Sequence, residues 1–357
     1  MLAKELRPRI ETIPEVSERT RRLMRDSVVV DALLPWSPRL NGDQFDLLLP
    51  RWRKAGVTCI SLTMAYRGFD EFTAVTDWTS RVRQQIADAE GMRLVESIAD
   101  INSCHANGDL GLYFNFQDAL PIGRQLHLAQ LFYDLGVRQI GLAYNLRNFV
   151  GDGGAEEANG GLSRFGRALV AELNRVGIIV DGSHAGHRTT MDAMEITTKP
   201  FIFSHSNPHA VRPHYRSVQD DQMKAAAATG GTVGINGVGF WTGDIDATTE
   251  SIFRCVDYAV QLIGDDHVHL GFDYIWDLDE LFKWTGGGSS LLWPPYKGEL
   301  MVKHNYAGPE QIVDLVEHMV QHGYRDSTIE KILGRNYLRV AAATWVDPVP
   351  ASPSLGA

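Results

Sequence analysis

Short runs of β-branched and other apolar residues, each bounded by turn-forming residues, recur along the chain and predict β-strands. Eight such runs are found, at 27–33, 56–63, 110–117, 137–144, 177–183, 200–206, 231–236 and 267–273. Between them lie amphipathic segments with helical periodicity, of which the clearest are 161–176, 218–229, 247–263 and 309–322. Strands that are apolar throughout and alternate with helices are typical of a parallel sheet buried on both faces.

Eight repeats of strand and helix predict an α/β protein with a (β/α)8 TIM-type barrel. The competing fold is a doubly wound open sheet. It is disfavoured because no glycine-rich phosphate-binding turn follows the first strand, where the sequence reads VDALLPW. We therefore predict one barrel domain over residues 1–345. The proline- and serine-rich residues 346–357 are expected to form a flexible tail.

Two long segments interrupt the alternation of strands and helices. The first, 151–161, is rich in glycine and acidic residues, and the second, 274–307, follows the last predicted strand. Loops this long in a compact domain are usually functional or mobile. The second segment, called the aromatic segment below, contains Trp276, Trp284, Trp293, Tyr296 and Tyr306. These side chains fit either packing over the barrel mouth or a lid that contacts substrate.

Charge and composition narrow the range of partners. The 357 residues carry a net charge of −10, which argues against nucleic acid because that binding depends on neutralising phosphates. No run approaches the ~20 consecutive apolar residues of a membrane span. The charged first 27 residues lack the apolar core of a signal peptide. Three widely spaced cysteines without a CxxC pair indicate reduced thiols, so we expect a cytoplasmic protein.

In a barrel, the side chains at the carboxyl ends of the strands point into one cup, where the chemistry takes place. The residues at those ends are Asp31, Gln117, Tyr144, His184, His205, Asn236 and Asp273. Two neutral imidazoles with a carboxylate, here His184, His205 and Asp273, are suited to zinc or a similar divalent ion. The aspartate could then accept a proton from a water whose pKa the ion lowers to about 7. Without an ion, strand-end histidines of this kind are structural residues.

Other polar residues near these strand ends could bind a substrate. Arg216 could hold a carboxylate through two hydrogen bonds, although a surface ion pair with Asp220 or Asp221 fits the pattern equally well. Tyr144 and Asn145 could donate hydrogen bonds to a developing oxyanion, although a tyrosine packed at the barrel rim is an equal alternative. Three nearby histidines are expected at the surface or behind the site, namely His187, His209 and His214.

Much of the chain resembles the membrane dipeptidase (renal dipeptidase) family of zinc-dependent, amidohydrolase-like barrels. The matching stretches are LGVRQIGLAYNLRN, GLSRFGRALVAELNRVGIIVDGSHAG, KPFIFSHSNPHAVRPHYRSVQDDQMKAAAATGGTVGING and EKILGRNYLRV. The resemblance extends over residues 20–342 and implies the barrel fold and a homodimer.

The resemblance also implies roles for individual residues. His184 and His205 match the two histidines that bind the second zinc ion of the family. Arg216 matches the arginine that binds the carboxylate at the substrate's C-terminus. Asp273 matches the aspartate placed beside the scissile bond.

The first half of the family's metal site is not matched. Family members carry a His-x-Asp pair in a DGHNDLP-like motif, where this chain reads DALLP at 31–35. Gln117 stands in place of the bridging glutamate, and Tyr144 in place of a histidine that polarises the substrate carbonyl. A neutral amide cannot offset the charge of two cations. We therefore expect at most one divalent ion on the two matching histidines, completed by Asp273, the Gln117 carbonyl oxygen or water.

Three functions remain open on these grounds. The first is a dipeptidase-like hydrolase that cleaves an amide bond in a small carboxylated substrate, with Asp273 as base, Tyr144 at the oxyanion, and Asn145, Gln117 and Arg216 binding substrate. The second is a metal-free lyase or isomerase, in which Asp273 and a histidine act as acid and base. The third is a non-catalytic binding homologue, because a barrel fold does not determine its chemistry. The aromatic segment suggests a partly apolar or aromatic substrate group.

Overall fold

The centre of the molecule is a single sheet of parallel strands. A computed structural model describes residues 6–287 and 290–346. The strands are β1 (Val30–Pro35), β2 (Cys59–Ala65), β3 (Met92–Leu94), β4 (Leu110–Phe116), β5 (Val137–Gly141), β6 (Ile179–Asp181), β7 (Ile202–Phe203), β8 (Thr232–Ile235) and β9 (Val268–Leu270). They are hydrogen-bonded in the order β1-β2-β4-β5-β6-β7-β8-β9, and β3 pairs with β4 outside this path. Since β1 and β9 also contact each other, the eight strands of the path form a nearly closed barrel.

Helices precede, connect and follow these strands. They are α1 (Glu18–Asp26), α2 (Phe45–Lys54), α3 (Phe72–Asp88), α4 (Ile98–Asn107), α5 (Leu128–Asp134), α6 (Arg164–Val176), α7 (His187–Ile196), α8 (Asp220–Ala228), α9 (Gly239–Thr242), α10 (Thr249–Ile263), α11 (Leu278–Trp284), α12 (Glu310–Gln321), α13 (Asp326–Glu330) and α14 (Asn336–Thr344). In the described ranges, no helix has both the length and the apolar character needed to cross a membrane.

The clearest predicted helices begin and end at local sequence signals. The Ser163 side chain accepts a hydrogen bond from the Gly166 amide and caps the start of α6, and Thr248 caps α10 in the same way. Helix α6 ends at Gly177, whose φ of 99° lies in the left-handed region that glycine adopts without strain. These signals explain why the predicted ranges agree with the observed helices to within a few residues.

The buried carboxylate of Asp31, on the first strand of the barrel, binds the chain just after the last strand. Its oxygens accept hydrogen bonds from the Phe272 amide at 2.8 Å and from the Trp52 indole at 3.0 Å. Burial raises the pKa of this carboxyl to about 6. All three donors on Asp31, including the Leu33 amide, come from the protein itself. Asp31 is therefore a structural residue, although it stands at a predicted strand end.

The predicted TIM-type barrel is confirmed, and two details differ from the prediction. The short strand β3 was missed because none of its three residues is buried and they form no apolar run. The later strands are shorter than predicted, and β7 has only two residues, because the chain turns into the site directly afterwards. Apart from Val346, the predicted tail lies outside the described residues.

Candidate active site

The predicted site residues come together at the mouth of the barrel, just beyond the ends of the strands. His184 follows β6, His205 follows β7 and Asp273 follows β9. Asn145, His184 and Asp273 have φ angles of 59°, 68° and 58°, in the left-handed region that residues other than glycine rarely adopt. Strained backbone of this kind concentrates at functional sites, where the surrounding structure holds it in place.

Two buried imidazoles face each other at the centre of the mouth. The Nε2 atoms of His184 and His205 are 3.1 Å apart. Neither ring is more than 4% exposed. Whether this contact is favourable depends on which ring nitrogens carry protons, and the neighbours of each ring determine that.

The tautomer of His184 is fixed by Asn145. The Asn145 Nδ2 donates to the carbonyl oxygen of Leu292 at 3.0 Å, so its Oδ1 must face the histidine as an acceptor. His184 Nδ1 lies 2.8 Å from that oxygen and therefore carries the proton. The Nε2 of His184 is left with a free lone pair. Because Leu292 lies in the aromatic segment, that segment helps to set the state of the histidine.

The tautomer of His205 is fixed by a chain of two side chains. Backbone amides and side chains donate four hydrogen bonds to the buried Asp181, among them the Ser204 hydroxyl at 2.5 Å. Since that hydroxyl gives its proton to Asp181, it must accept from His205 Nδ1, which lies 2.6 Å away. The Nε2 of His205 therefore also presents a lone pair.

Two lone pairs facing each other at 3.1 Å repel unless a cation lies between them. A proton is disfavoured there, because burial, and secondarily the charge of Arg216, lowers the pKa of both histidines well below the usual value. A zinc-like ion binds neutral imidazole nitrogen at 2.0–2.1 Å, and two such bonds span this separation. The pair thus fits a single divalent ion. Among the described residues, no third histidine, cysteine or carboxylate has a ligand atom within 4.8 Å of both nitrogens.

The position of Asp273 narrows the predicted ligand set. Sequence reasoning allowed it to complete the metal site. Its carboxylate oxygens, however, do not lie within 4.8 Å of both histidine Nε2 atoms. Burial raises the pKa of Asp273 to about 7, while Arg216 acts in the opposite direction. A carboxyl with this pKa exchanges a proton near neutral pH, which is what a general base requires.

Arg216 is buried beside the histidines and is not a surface residue. Its exposed fraction is 3%, and its two terminal nitrogens donate to the Ser206 hydroxyl and to the His205 carbonyl oxygen, both at 2.8 Å. Its Nε has no acceptor among the described residues. The alternative of a surface ion pair is wrong, since Asp220 binds Tyr258 and Asp221 binds His187. A buried guanidinium with unused donors can receive an anionic group.

Tyr144 and Gln117 line a cavity together with His184 and Asp273, and Arg216 is not part of its lining. The Tyr144 ring stacks on the His184 imidazole with centroids 3.9 Å apart, and burial raises its pKa well above the usual value. The phenol is therefore a neutral donor. Gln117 donates from Nε2 to the Thr63 hydroxyl at 3.2 Å. The stretch DALLP at 31–35, which stands where the family carries its first metal ligands, is buried throughout.

Two cavities meet at His184. The polar cavity, of about 230 Å³, is lined by Arg216, Ser206, His209, Tyr215 and Tyr296 among others. The aromatic cavity, of about 30 Å³, is lined by Asp273, Gln117, Tyr144, Trp241, Trp284, Trp293 and Tyr306 among others. The smaller one holds one or two water molecules at most. A substrate group can enter it only if the aromatic side chains move apart.

The aromatic segment closes the mouth from above. Trp293 stacks on Trp241 with centroids 5.5 Å apart and contacts the rings of Tyr144 and His184 edge-on. Trp276 lies outside the cavity, where the guanidinium groups of Arg9 and Arg51 face its ring. Packing over the mouth is thus observed for part of the segment, and the same side chains line the cavity that a substrate would enter.

Sequence reasoning missed several residues that support the site. Ser204 and Asp181 were not singled out, although a serine directly before a predicted ligand histidine is a usable signal. Trp241 lies on α9, a four-residue helix with no periodic pattern. His214, grouped with the surface or supporting histidines, is buried and accepts from the Arg216 amide at 3.1 Å. Asn236, another strand-end residue, pairs with Asn207 and is structural.

Comparison with known proteins agrees with the fold. The chain is 28% identical over 269 residues to dipeptidase tcpJ of Claviceps purpurea, a match that covers 74% of this chain and 57% of that protein. The fold matches a crystal structure of an amidohydrolase from Pseudomonas aeruginosa with a TM-score of 0.79 and 29% identity, over 91% of this chain and 99% of that one.

The fold also matches dipeptidase AC, a metallo peptidase of family M19, with a TM-score of 0.72 and 21% identity, over 89% of this chain and 99% of that one. At this identity the likeness is one of fold alone. The sequence model that describes the membrane dipeptidases, peptidase family M19, matches residues 18–280, which is more than half of the chain. The protein therefore belongs to the membrane dipeptidase family.

Proposed function

We propose that the protein hydrolyses an amide bond in a small, dipeptide-like substrate that carries a carboxylate, and that it uses one divalent ion, zinc or a similar metal. The observation that carries this proposal is the pair of Nε2 lone pairs 3.1 Å apart, next to a buried arginine. Family membership supports a hydrolase of this class. A cytoplasmic location and a homodimer remain predictions from the sequence.

His184 and His205 would hold the ion, which when bound supplies Lewis-acid polarisation of a carbonyl group and of a water molecule. The hydrogen bonds of Asn145 and Ser204 keep both rings in the tautomer that offers a lone pair. With only two protein ligands, the remaining positions would be filled by water, substrate or the carbonyl oxygen of Gln117.

The other site residues each have a separate role in the proposed reaction. Asp273, with its pKa near neutral, accepts the proton of the attacking water. Tyr144 remains protonated and donates a hydrogen bond to the oxyanion. Arg216 receives the substrate carboxylate through its unused donors, and Asn145 positions His184.

The two cavities suggest how a substrate is oriented. A carboxylate beside Arg216 lies in the polar cavity, and the opposite end of the molecule then points past His184 into the aromatic cavity. The lining of that cavity favours an aromatic or large apolar group, because such a group gains from burial against Trp241, Trp284 and Trp293. We therefore expect dipeptides with an aromatic amino-terminal residue to be better substrates than those with alanine.

A metal-free lyase or isomerase is the second candidate. It is favoured by one observation, the lack of a third protein ligand for the ion among the described residues. In that case Asp273 and His205 would exchange protons with a carboxylated substrate that Arg216 holds. Chelator sensitivity distinguishes the two candidates.

The proposal is tested by measuring hydrolysis of a phenylalanyl dipeptide before and after treatment with a chelator, and again after zinc is restored. We expect activity to be lost and then recovered. His184→Ala should lower kcat at least 100-fold, because it removes one of the two ligands. His187→Ala is the matched control, since His187 lines the polar cavity but pairs with Asp221. Full activity in His184→Ala, or in the chelated enzyme, would overturn the metal-dependent hydrolase.

A further inference from the structure

Two histidines and a glutamate come together on the outer helices of the barrel, away from the residues of the active site. The ligand atoms of Glu250, His318 and His322 all lie within 4.8 Å of one another. His318 Nε2 is 2.9 Å from a carboxylate oxygen of Glu250. Within residues 6–287 and 290–346, no other group of three such side chains brings its ligand atoms as close. This cluster joins α10 to α12.

The local structure holds both imidazoles in place. His318 and His322 are one helical turn apart, so their side chains project from the same face of the helix. The Nδ1 of His322 lies 2.8 Å from the carbonyl oxygen of His318 and donates to it, which leaves the Nε2 lone pair free. Phe253, from the neighbouring helix, packs against both rings at centroid distances of 4.8 and 4.5 Å.

The charge around the cluster favours a cation. Both histidines lie at the end of α12, where unpaired carbonyl groups give the helix terminus a partial negative charge. Asp314, one turn before His318, adds a carboxylate on the same face, and the Thr249 hydroxyl donates to it at 2.5 Å. Glu250 is thus the acidic side chain that contacts the imidazoles, and Asp314 adds a second negative charge one turn along the helix.

We propose that Glu250, His318 and His322 form a second metal site, which binds a divalent ion of the zinc class. Two imidazoles and one carboxylate are the donor set that zinc, nickel and copper prefer, whereas magnesium and calcium prefer oxygen ligands alone. Ligand atoms around a tetrahedral zinc ion are ~3.3 Å apart, since each bond is about 2.0–2.2 Å long. Glu250 is exposed, and its flexible side chain can rotate to close the remaining gap.

An ion at this site would connect two helices that are distant in sequence and leave the barrel mouth untouched. Because it binds the folded chain and not the unfolded one, it raises the unfolding temperature. The proposal is independent of the catalytic function, and its readouts are binding and thermal stability.

The test is a calorimetric titration with zinc chloride. The protein is the His184→Ala variant, which lacks the histidine pair of the active site, and it is treated with a chelator beforehand. We expect one zinc ion per chain, and an affinity at least tenfold lower after His318→Ala and His322→Ala are added. Glu250→Gln should weaken binding several-fold. His127→Ala is the control, since His127 is an exposed histidine at the start of α5.

Because His184→Ala could impair folding, the same double substitution is also made in the otherwise unchanged chain. There it should reduce the number of bound zinc ions by one and abolish part of the rise in unfolding temperature that zinc causes. Magnesium should produce no rise. The proposal is wrong, and the cluster is an ordinary ion pair, if the double variant binds zinc as tightly as its parent in the His184→Ala background or binds as many zinc ions as its parent in the unchanged chain. It is also wrong if the His184→Ala protein folds but binds no zinc.

Discussion

If Arg216 anchors the substrate carboxylate, it determines whether the protein distinguishes a free carboxylate from a neutral group. Replacing it with methionine keeps a long, flexible side chain in a buried position but removes the charge and every donor. Arg216→Met should therefore reduce kcat/KM strongly for a dipeptide and only weakly for the same dipeptide with a carboxyl-terminal amide.

The size of the effect follows from the donors that remain available. A guanidinium has five N–H groups, and two of them are used by Ser206 and by the His205 carbonyl oxygen. Nε has no partner, and we take the substrate carboxylate to accept from Nε–H and from one terminal N–H. A hydrogen bond to a charged group contributes about 1.5–3 kcal/mol, so we take ~3 kcal/mol for the pair after desolvation. At about 1.4 kcal/mol for each factor of ten, kcat/KM falls roughly 100-fold.

The assay compares kcat/KM for phenylalanyl-alanine and for its amide, in wild type and variant. The informative quantity is the ratio of kcat/KM for the dipeptide to kcat/KM for its amide. Arg216 also binds the His205 carbonyl oxygen, and loss of that contact lowers kcat/KM equally for both substrates. Ser206→Ala is the control, since it removes a partner of the guanidinium and leaves its charge. A variant that keeps the wild-type preference for the free carboxylate would refute the anchoring role of Arg216.

Three further outcomes are expected. Burial raises the pKa of Asp273 to about 7, so a base at this position is mostly protonated below neutral pH. We therefore expect kcat/KM to rise through pH 7 and to level off about one pH unit above it. Asp273→Asn should remove this rise with pH and lower the rate ~10²–10⁴-fold. An unchanged pH profile would exclude Asp273 as the general base. Ser204→Ala should weaken zinc binding at the barrel ~10–100-fold in a competition with a coloured chelator, unlike Ser206→Ala. Trp293→Ala should raise KM ~10-fold or more for aromatic but not for alanyl dipeptides, whereas Trp276→Ala should affect neither.

The position of the site could be predicted from the sequence because a parallel barrel gathers the ends of its strands. His184, His205 and Asp273 are far apart in the chain, yet each follows a strand, and the closed sheet brings them to one mouth. That reasoning uses only the order of elements. It does not give separations of a few ångströms, and it therefore allowed Asp273 as a ligand where the structure keeps it further away.

The state of each side chain depends on neighbours that no local pattern shows. The tautomer of His205 follows from Asp181, which reaches it through Ser204 only because β6 and β7 lie side by side. Arg216 has the sequence surroundings of a surface residue, with two aspartates close by in the chain. It is buried because its guanidinium turns inward to the His205 carbonyl oxygen.

The proposed function requires one divalent ion at the barrel mouth, held by His184 and His205. Elemental analysis of protein purified without added metal or chelator tests this requirement. The variant with His318→Ala and His322→Ala is used, so that only ions at the mouth are counted. We predict about one zinc-class ion per chain, lost when His184 is also replaced with alanine. Two ions per chain would show that a first metal subsite exists after all. If none is found, and none is taken up when zinc is added, metal-dependent hydrolysis is contradicted.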